Sequence, residues 1–261
     1  MTVIDGDFAT DGAVCVRGAF DAEQVALATS AIDAVLADPS SNVKRASAAD
    51  DEAFIEDFCN WQRIDALERF ARTSPAASIA AELMGASTVR LYHDHVLVKE
   101  AGTRQRTPWH QDLPYYNIDG TQNVSMWFPV DPVPRSATLE FVAGSHRLGW
   151  FMPRTFLDGE AKWFAPGELS ELPDVDGDPE RYPVIGWELE PGDAVFFHML
   201  TLHASAGSAA RRRVLSLRFL GDDIVHAPRP WTTSPPFAGL ADELPAGAPM
   251  DHALFPEIWG G

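Results

Sequence analysis

"TVRLYHDHVLVK", residues 88–99, is a run of β-branched, aromatic and apolar residues with no glycine or proline inside it, and it reads as a strand. Five runs of the same texture follow: NVSMWFPV (123–130), TLEFVAG (138–144), YPVIGWELE (182–190), DAVFFHML (193–200) and RRVLSLRFL (212–220). Gly, Pro and Asp punctuate them. Short strands spaced in this way predict an antiparallel sandwich or barrel and not βαβ units. The expected class is α+β, mainly β, with a double-stranded β-helix (jelly-roll) core over about residues 86–221.

Helices are expected ahead of this core, packed outside it. DAEQVALATSAIDAVLAD (21–38) has an acidic start, Asp21 as N-cap, and apolar residues at Val25, Ile32, Val35 and Leu36. In TSPAASIAAELMG (73–85), Ser74 is the expected cap, Pro75 the first helical residue and Gly85 the left-handed stop. Residues 151–183 read as a long insertion between strands, and the Pro-rich residues 222–261 as an irregular tail over the body. One domain over 1–261 suits this length.

The totals narrow the partners. A formal net charge of −18 leaves no broad basic face for a phosphate backbone, so nucleic acid is not expected. No apolar run approaches the roughly 18 residues that span a bilayer, so no membrane partner is expected either. MTVIDGDFATDG has neither the basic stretch nor the apolar core of a signal peptide, which sets the cytoplasm as the expected compartment. Cys15 and Cys59 are then expected as thiols. Asp174-x-Asp176-Gly-Asp178 departs from the calcium-loop spacing and reads as an acidic surface turn.

Chemistry concentrates in TPWHQDLPYY (107–116). On a strand, residues two apart share a face, so His110 and Asp112 can present an imidazole nitrogen and a carboxylate oxygen to one ion. The third ligand is expected at His203, in GDAVFFHMLTLHAS (192–205). Two histidines and one carboxylate form a facial triad that leaves three positions open, which suits Fe(II) oxygen chemistry. Zinc hydrolysis uses a similar set but draws its base from a motif such as H-E-x-x-H, which this chain lacks.

PWHQDLPYY, Trp127, ATLEFVAGSHRLG (137–149), GDAVFFHMLTLHAS and RRVLSLRF (212–219) together resemble the phytanoyl-CoA dioxygenase family, over roughly residues 8–228. The resemblance implies a cupin-like jelly roll with His110, Asp112 and His203 as iron ligands and 2-oxoglutarate as cosubstrate. It matches Ser205, two residues after the distal histidine, and Trp127, beside the cosubstrate. It also matches Arg212, opening an R-x-[AV]-[IL]-S pattern, as partner of the far carboxylate of 2-oxoglutarate. Alternation agrees, since Arg212, Val214, Ser216 and Arg218 share a face that is more polar than that of Arg213, Leu215 and Leu217. The spacing from His203 is shorter than the family's, and a slip of one residue would exchange Arg212 for Arg213. Leu97 and Thr107 are expected to flank the cosubstrate. His93 and His95 either line the mouth of the pocket or hydrogen-bond within the sheet.

The implied activity is that of an Fe(II)- and 2-oxoglutarate-dependent dioxygenase, consuming O2 and releasing succinate and CO2. With a carboxylate at position 112, hydroxylation of a small-molecule metabolite is expected over halogenation. Gln111, Tyr115, Tyr116, Asn117 and Arg135 are the residues expected around that substrate. The alternatives are a non-catalytic, metal-retaining jelly-roll binding protein and a zinc-dependent hydrolase.

Overall fold

The computed structural model describes residues 3–153 and 169–260. Its N-terminal half contains β1 (Val3–Asp5), α1 (Phe8–Asp11), β2 (Ala13–Arg17), α2 (Ala22–Ala37), β3 (Lys44–Arg45), β4 (Phe54–Phe58), α3 (Asp65–Thr73) and α4 (Ala76–Met84). The strand-rich part contains β5 (Thr88–Lys99), β6 (Thr107–His110), β7 (Ile118–Asp119), β8 (Asn123–Pro129), β9 (Leu139–Val142), β10 (Val184–Ile185), β11 (Ala194–Phe197), β12 (His203–Ser205) and β13 (Arg212–Leu220). β14 (Val225–His226), α5 (Leu240–Glu243) and β15 (Glu257–Gly260) follow.

Among the described residues, the strands build a large antiparallel sheet in the order β1-β2-β11-β8-β13-β5-β4-β3, with β15 also on β5. A smaller sheet runs β10-β9-β12-β6. The period-2 pattern of the large sheet sorts its side chains between two layers. Val14, Met126, Phe128, Leu215, Leu217, Val96 and Val98 pack on one face with Ile32 and Val35 of α2, Leu67 and Phe70 of α3, and the alanines of α4. Phe20, Phe70 and Phe128 meet there with ring centroids 4.5–5.8 Å apart. The opposite face carries Ala13, Cys15, Trp127, Val195, Phe197 and Val214 against Leu139 and Phe141 of the small sheet.

Several local expectations change. Asp21 does cap α2, in a box with Gln24. α4 instead follows Pro75 with no side-chain cap, because Ser74 is already the C-cap of α3; Gly85 is left-handed as expected, at φ 63°. Strands β1–β4 belong to the large sheet, so the strand core reaches well upstream of residue 86. The tail is also less irregular than expected, since β14 pairs with β7 and β15 with β5. Residues 154–168 of the expected 151–183 insertion lie outside the described residues. No helix among the described residues is long and apolar enough to cross a membrane.

Candidate active site

Pairing of β6 with β12 sets His110 directly opposite His203, with ring centroids 4.1 Å apart. Each Nδ1 lies against a backbone carbonyl, of Pro108 at 2.8 Å and of Thr201 at 2.9 Å. A carbonyl only accepts, so Nδ1 carries the proton and the Nε2 lone pair of the neutral ring faces the cavity. Asp112 reaches the same point by a route other than the expected strand. β6 ends at His110, and Asp112 has helical backbone (φ −75°, ψ −43°) at the start of a 3-10 turn over Leu113–Tyr115. The Met199 carbonyl anchors this turn by accepting from the Asp112 and Leu113 amides. Asp112 Oδ1 then lies 3.8 Å from His110 Nε2 and 3.7 Å from His203 Nε2. One ligand atom from each of the three residues lies within 4.8 Å of the others.

The other oxygen, Asp112 Oδ2, accepts from Ser125 Oγ at 2.8 Å and pairs with Arg218 Nε at 3.1 Å. Burial alone would raise the Asp112 carboxyl, but Arg218 and then the two imidazoles outweigh it and hold it far below the usual carboxylate range. Burial, with the His203 ring adding, pushes His110 down to about 3; His203 is lowered chiefly by burial. The arrangement is one carboxylate and two neutral imidazoles, a donor set matched to a divalent transition metal.

A cavity of about 250 Å³ opens beside these atoms. At one end Arg212, 4% exposed, lies over the Trp127 ring at 5.2 Å. Its Nη1 donates to the Ala137 carbonyl, its Nε has no hydrogen-bond partner, and no carboxylate pairs with it among the described residues. Burial lowers it to about 10, so the guanidinium remains charged at neutral pH. Arg213 points the other way, into Asp131 at 2.7 Å and Asp33 at 3.3 Å. Ser205, Thr107, Leu97 and Trp127 all line the cavity with Arg212. Ser205 Oγ also accepts from Lys99 Nζ at 3.3 Å.

Of the residues expected around a substrate, Tyr115 and Tyr116 line the cavity. The other three are engaged elsewhere. Gln111 bridges the Gly149 and Leu200 carbonyls, Asn117 sits between Tyr92 and His226, and Arg135 pairs with Glu140. His95 faces the cavity, whereas His93 is buried among Tyr92, Tyr116 and Phe58. Ser125 and Glu56 carry no motif signal in the sequence, and Arg218 stands there only as a polar neighbour of Ser216. Alternation with Trp127 and with Arg212 was the available signal for Ser125 and Arg218.

With this geometry in view, the profile of the phytanoyl-CoA dioxygenase (PhyH) family matches residues 8–214. A "probable phytanoyl-CoA dioxygenase" of Caenorhabditis elegans is 29% identical over 127 residues, 46% of this chain and only 38% of that relative's length. Among solved structures, the carbocyclase SnoK from nogalamycin biosynthesis, described as non-heme and alpha-ketoglutarate dependent, superposes with a TM-score of 0.74. It is 21% identical, and the match covers 97% of this chain and 94% of that one. The epimerase SnoN, solved in complex with Fe3+, alpha ketoglutarate and nogalamycin RO, gives 0.71 at 23% identity, covering 97% and 96%. EctD from S. alaskensis with bound Fe gives 0.65 at 19% identity, covering 86% and 79%.

Proposed function

The chain belongs to the phytanoyl-CoA dioxygenase family, and from that premise we propose that it is a non-haem Fe(II)- and 2-oxoglutarate-dependent dioxygenase that hydroxylates a small-molecule metabolite. On this reading the two facing sheets are the halves of a double-stranded β-helix. His110, Asp112 and His203 hold the iron. Arg212 holds the far carboxylate of 2-oxoglutarate, with Ser205, Trp127, Thr107 and Leu97 around it. One substrate C–H bond, O2 and 2-oxoglutarate are consumed, and an alcohol, succinate and CO2 are formed.

The observation that carries the reading is the pairing, on one cavity, of a two-imidazole, one-carboxylate donor set with a buried arginine that has no counter-anion among the described residues. The donor set fits Fe(II), and a planar guanidinium fits a carboxylate. Bound iron supplies the activation of O2 and the oxidation of the C–H bond. The protein's own residues do the rest. The Pro108 and Thr201 carbonyls keep both Nε2 atoms deprotonated and aimed inward. Ser125 and Arg218 occupy Oδ2 and so turn Oδ1 toward the metal position. Phe197, Leu139 and Leu97 keep the cavity wall apolar, which limits water.

Anaerobic titration of the Fe(II)-loaded protein with 2-oxoglutarate tests the proposal. A weak visible charge-transfer band should appear. Arg212→Ala should raise the 2-oxoglutarate concentration needed for it by about 10- to 100-fold, the size of a lost charge-assisted hydrogen bond. His110→Ala should lose iron binding while its circular dichroism is retained. Fe(II) binding without any band in wild type would overturn the assignment.

A further inference from the structure

The large sheet, which also carries Trp127, brings Glu56 of β4 beside His95 of β5. Register places Phe58 opposite His95 and His95 opposite Ser216, while Glu56 is opposite Leu97. Glu56 and His95 are therefore diagonal neighbours on the cavity face. They are 5% and 6% exposed, and both line the cavity. Glu56 Oε1 and His95 Nε2 approach to 3.6 Å, too far for a hydrogen bond, and neither atom has another hydrogen-bond partner among the described residues. A buried polar atom without a partner is costly, so two of them side by side in a cavity mark a place where a ligand completes the bonding.

Neither side chain is needed for the metal or cosubstrate positions, whose polar groups come from other strands. Aromatic and apolar side chains adjoin the pair. Phe58 stacks on His95 with centroids 4.0 Å apart and planes 26° from parallel, and Phe54, Tyr115 and Leu97 extend the lining. Burial lowers His95, so its ring is neutral at pH 7 and carries one N–H, which the neighbouring carboxylate favours on Nε2.

We infer that Glu56 and His95 form the substrate-recognition subsite and take the hydroxyl of a neutral, ring-bearing alcohol or phenol. The substrate O–H donates to Glu56 Oε1, and its oxygen accepts from His95 Nε2. The ring lies along the Phe58 side. A carboxylate in this position would meet the charge of Glu56. Of the basic residues at the rim, Lys44 is opposite Glu56 in the β3–β4 register and sits over Phe58 at 5.3 Å, and Arg45 donates to the Ala48 and Asp51 carbonyls. The inference rests on the dioxygenase reading of the same cavity.

Three probes with one ring system separate the possibilities: 2-naphthol, 2-methoxynaphthalene and 2-naphthoate. Each is titrated calorimetrically and anaerobically into the full chain with Fe(II) and 2-oxoglutarate, and 2-oxoglutarate binding is measured on the same samples. Wild type should bind 2-naphthol at least about tenfold more tightly than its methyl ether, which has the oxygen but no proton to donate, and should exclude 2-naphthoate. Glu56→Leu should erase the preference for 2-naphthol over the ether. Glu56→Gln should admit 2-naphthoate. Both variants should bind 2-oxoglutarate as wild type does.

Absence of 2-naphthol binding, equal affinity for 2-naphthol and its ether, or a preference that survives in Glu56→Leu overturns the subsite and leaves the dioxygenase reading standing. Tightest binding of 2-naphthoate by wild type overturns it in favour of anion capture by Lys44 and Arg45. A protein that selects 2-naphthol through Glu56 but ignores 2-oxoglutarate sustains the subsite and overturns the dioxygenase reading.

Discussion

Asp112 has one oxygen held by Ser125 and Arg218 and the other turned toward His110 and His203. Arg218 in turn donates to Tyr116 Oη and to Ser216 Oγ, so its charge and its donors are both used. Removing one partner of a buried ion pair typically costs about 3–5 kcal/mol, because the remaining charge stays desolvated. Arg218→Met should therefore lower unfolding free energy by that amount in metal-free protein. Arg218→Met with Asp112→Asn should recover part of the loss, because neither charge is then stranded. Urea unfolding of the four proteins measures the coupling, and strict additivity would mean that the pair does not hold Asp112. At this scale residue type and spacing were enough to nominate His110, Asp112 and His203. The stated route was wrong for Asp112, which arrives on a turn, since strand alternation stops at His110.

Elements explain the choice between neighbouring arginines. Pairing of β13 with β5 and β8 puts Ser216 between His95 and Trp127, and the same alternation carries Arg212 and Arg218 to the cavity while Arg213 turns to Asp131. Opposite Arg212 lies Lys99, fully buried, with its Nζ donating to the Gln105 and Ala206 carbonyls and to Ser205. Burial, with the charge of Arg212 adding, pushes this ammonium down to about 6. Between pH 6 and the ordinary lysine value near 10.4 the unfolded chain then binds one proton more than the folded chain. Stability from this group rises with pH across that window, by roughly 1.4 kcal/mol per unit. Urea unfolding at pH 7 and pH 9 should show the rise in wild type and not in Lys99→Met; the same slope in both proteins would exclude Lys99 as its source. Strand pattern found β5, β8, β11 and β13 but not β2 or β4. β2, AVCVR, is buried on both faces and so shows no alternation. β4, FIEDF, carries two acids that argue against a strand until its partners are known: Glu56 faces the cavity, and Asp57 accepts from Ser40.

At the scale of the whole molecule, the C-terminal segment completes the wall behind the site. Leu240, Leu244, Met250 and Phe255 pack with Tyr92, Tyr115 and Tyr116, and Phe255 lies 5.4 Å from Tyr92 and 5.1 Å from Phe237. β15 then pairs with β5, the strand that carries His95 and Lys99. Phe255→Ala should cost about 3–5 kcal/mol in urea unfolding, and a loss below about 1 kcal/mol would show that this cluster yields to repacking without penalty. The sequence by itself determined a strand-rich chain, the cap of α2 and the glycine stop of α4, the family resemblance and the three metal-ligand candidates, and it left the choice between Arg212 and Arg213 open. These are local signals, written in spacings of two to four residues or in short motifs. Only the tertiary structure decided that Ser125 and Arg218 clamp Asp112, that Glu56 meets His95, and that the tail closes the sheet edge. Those contacts join residues tens to more than a hundred positions apart, and strand order and register, which no single segment encodes, bring them together.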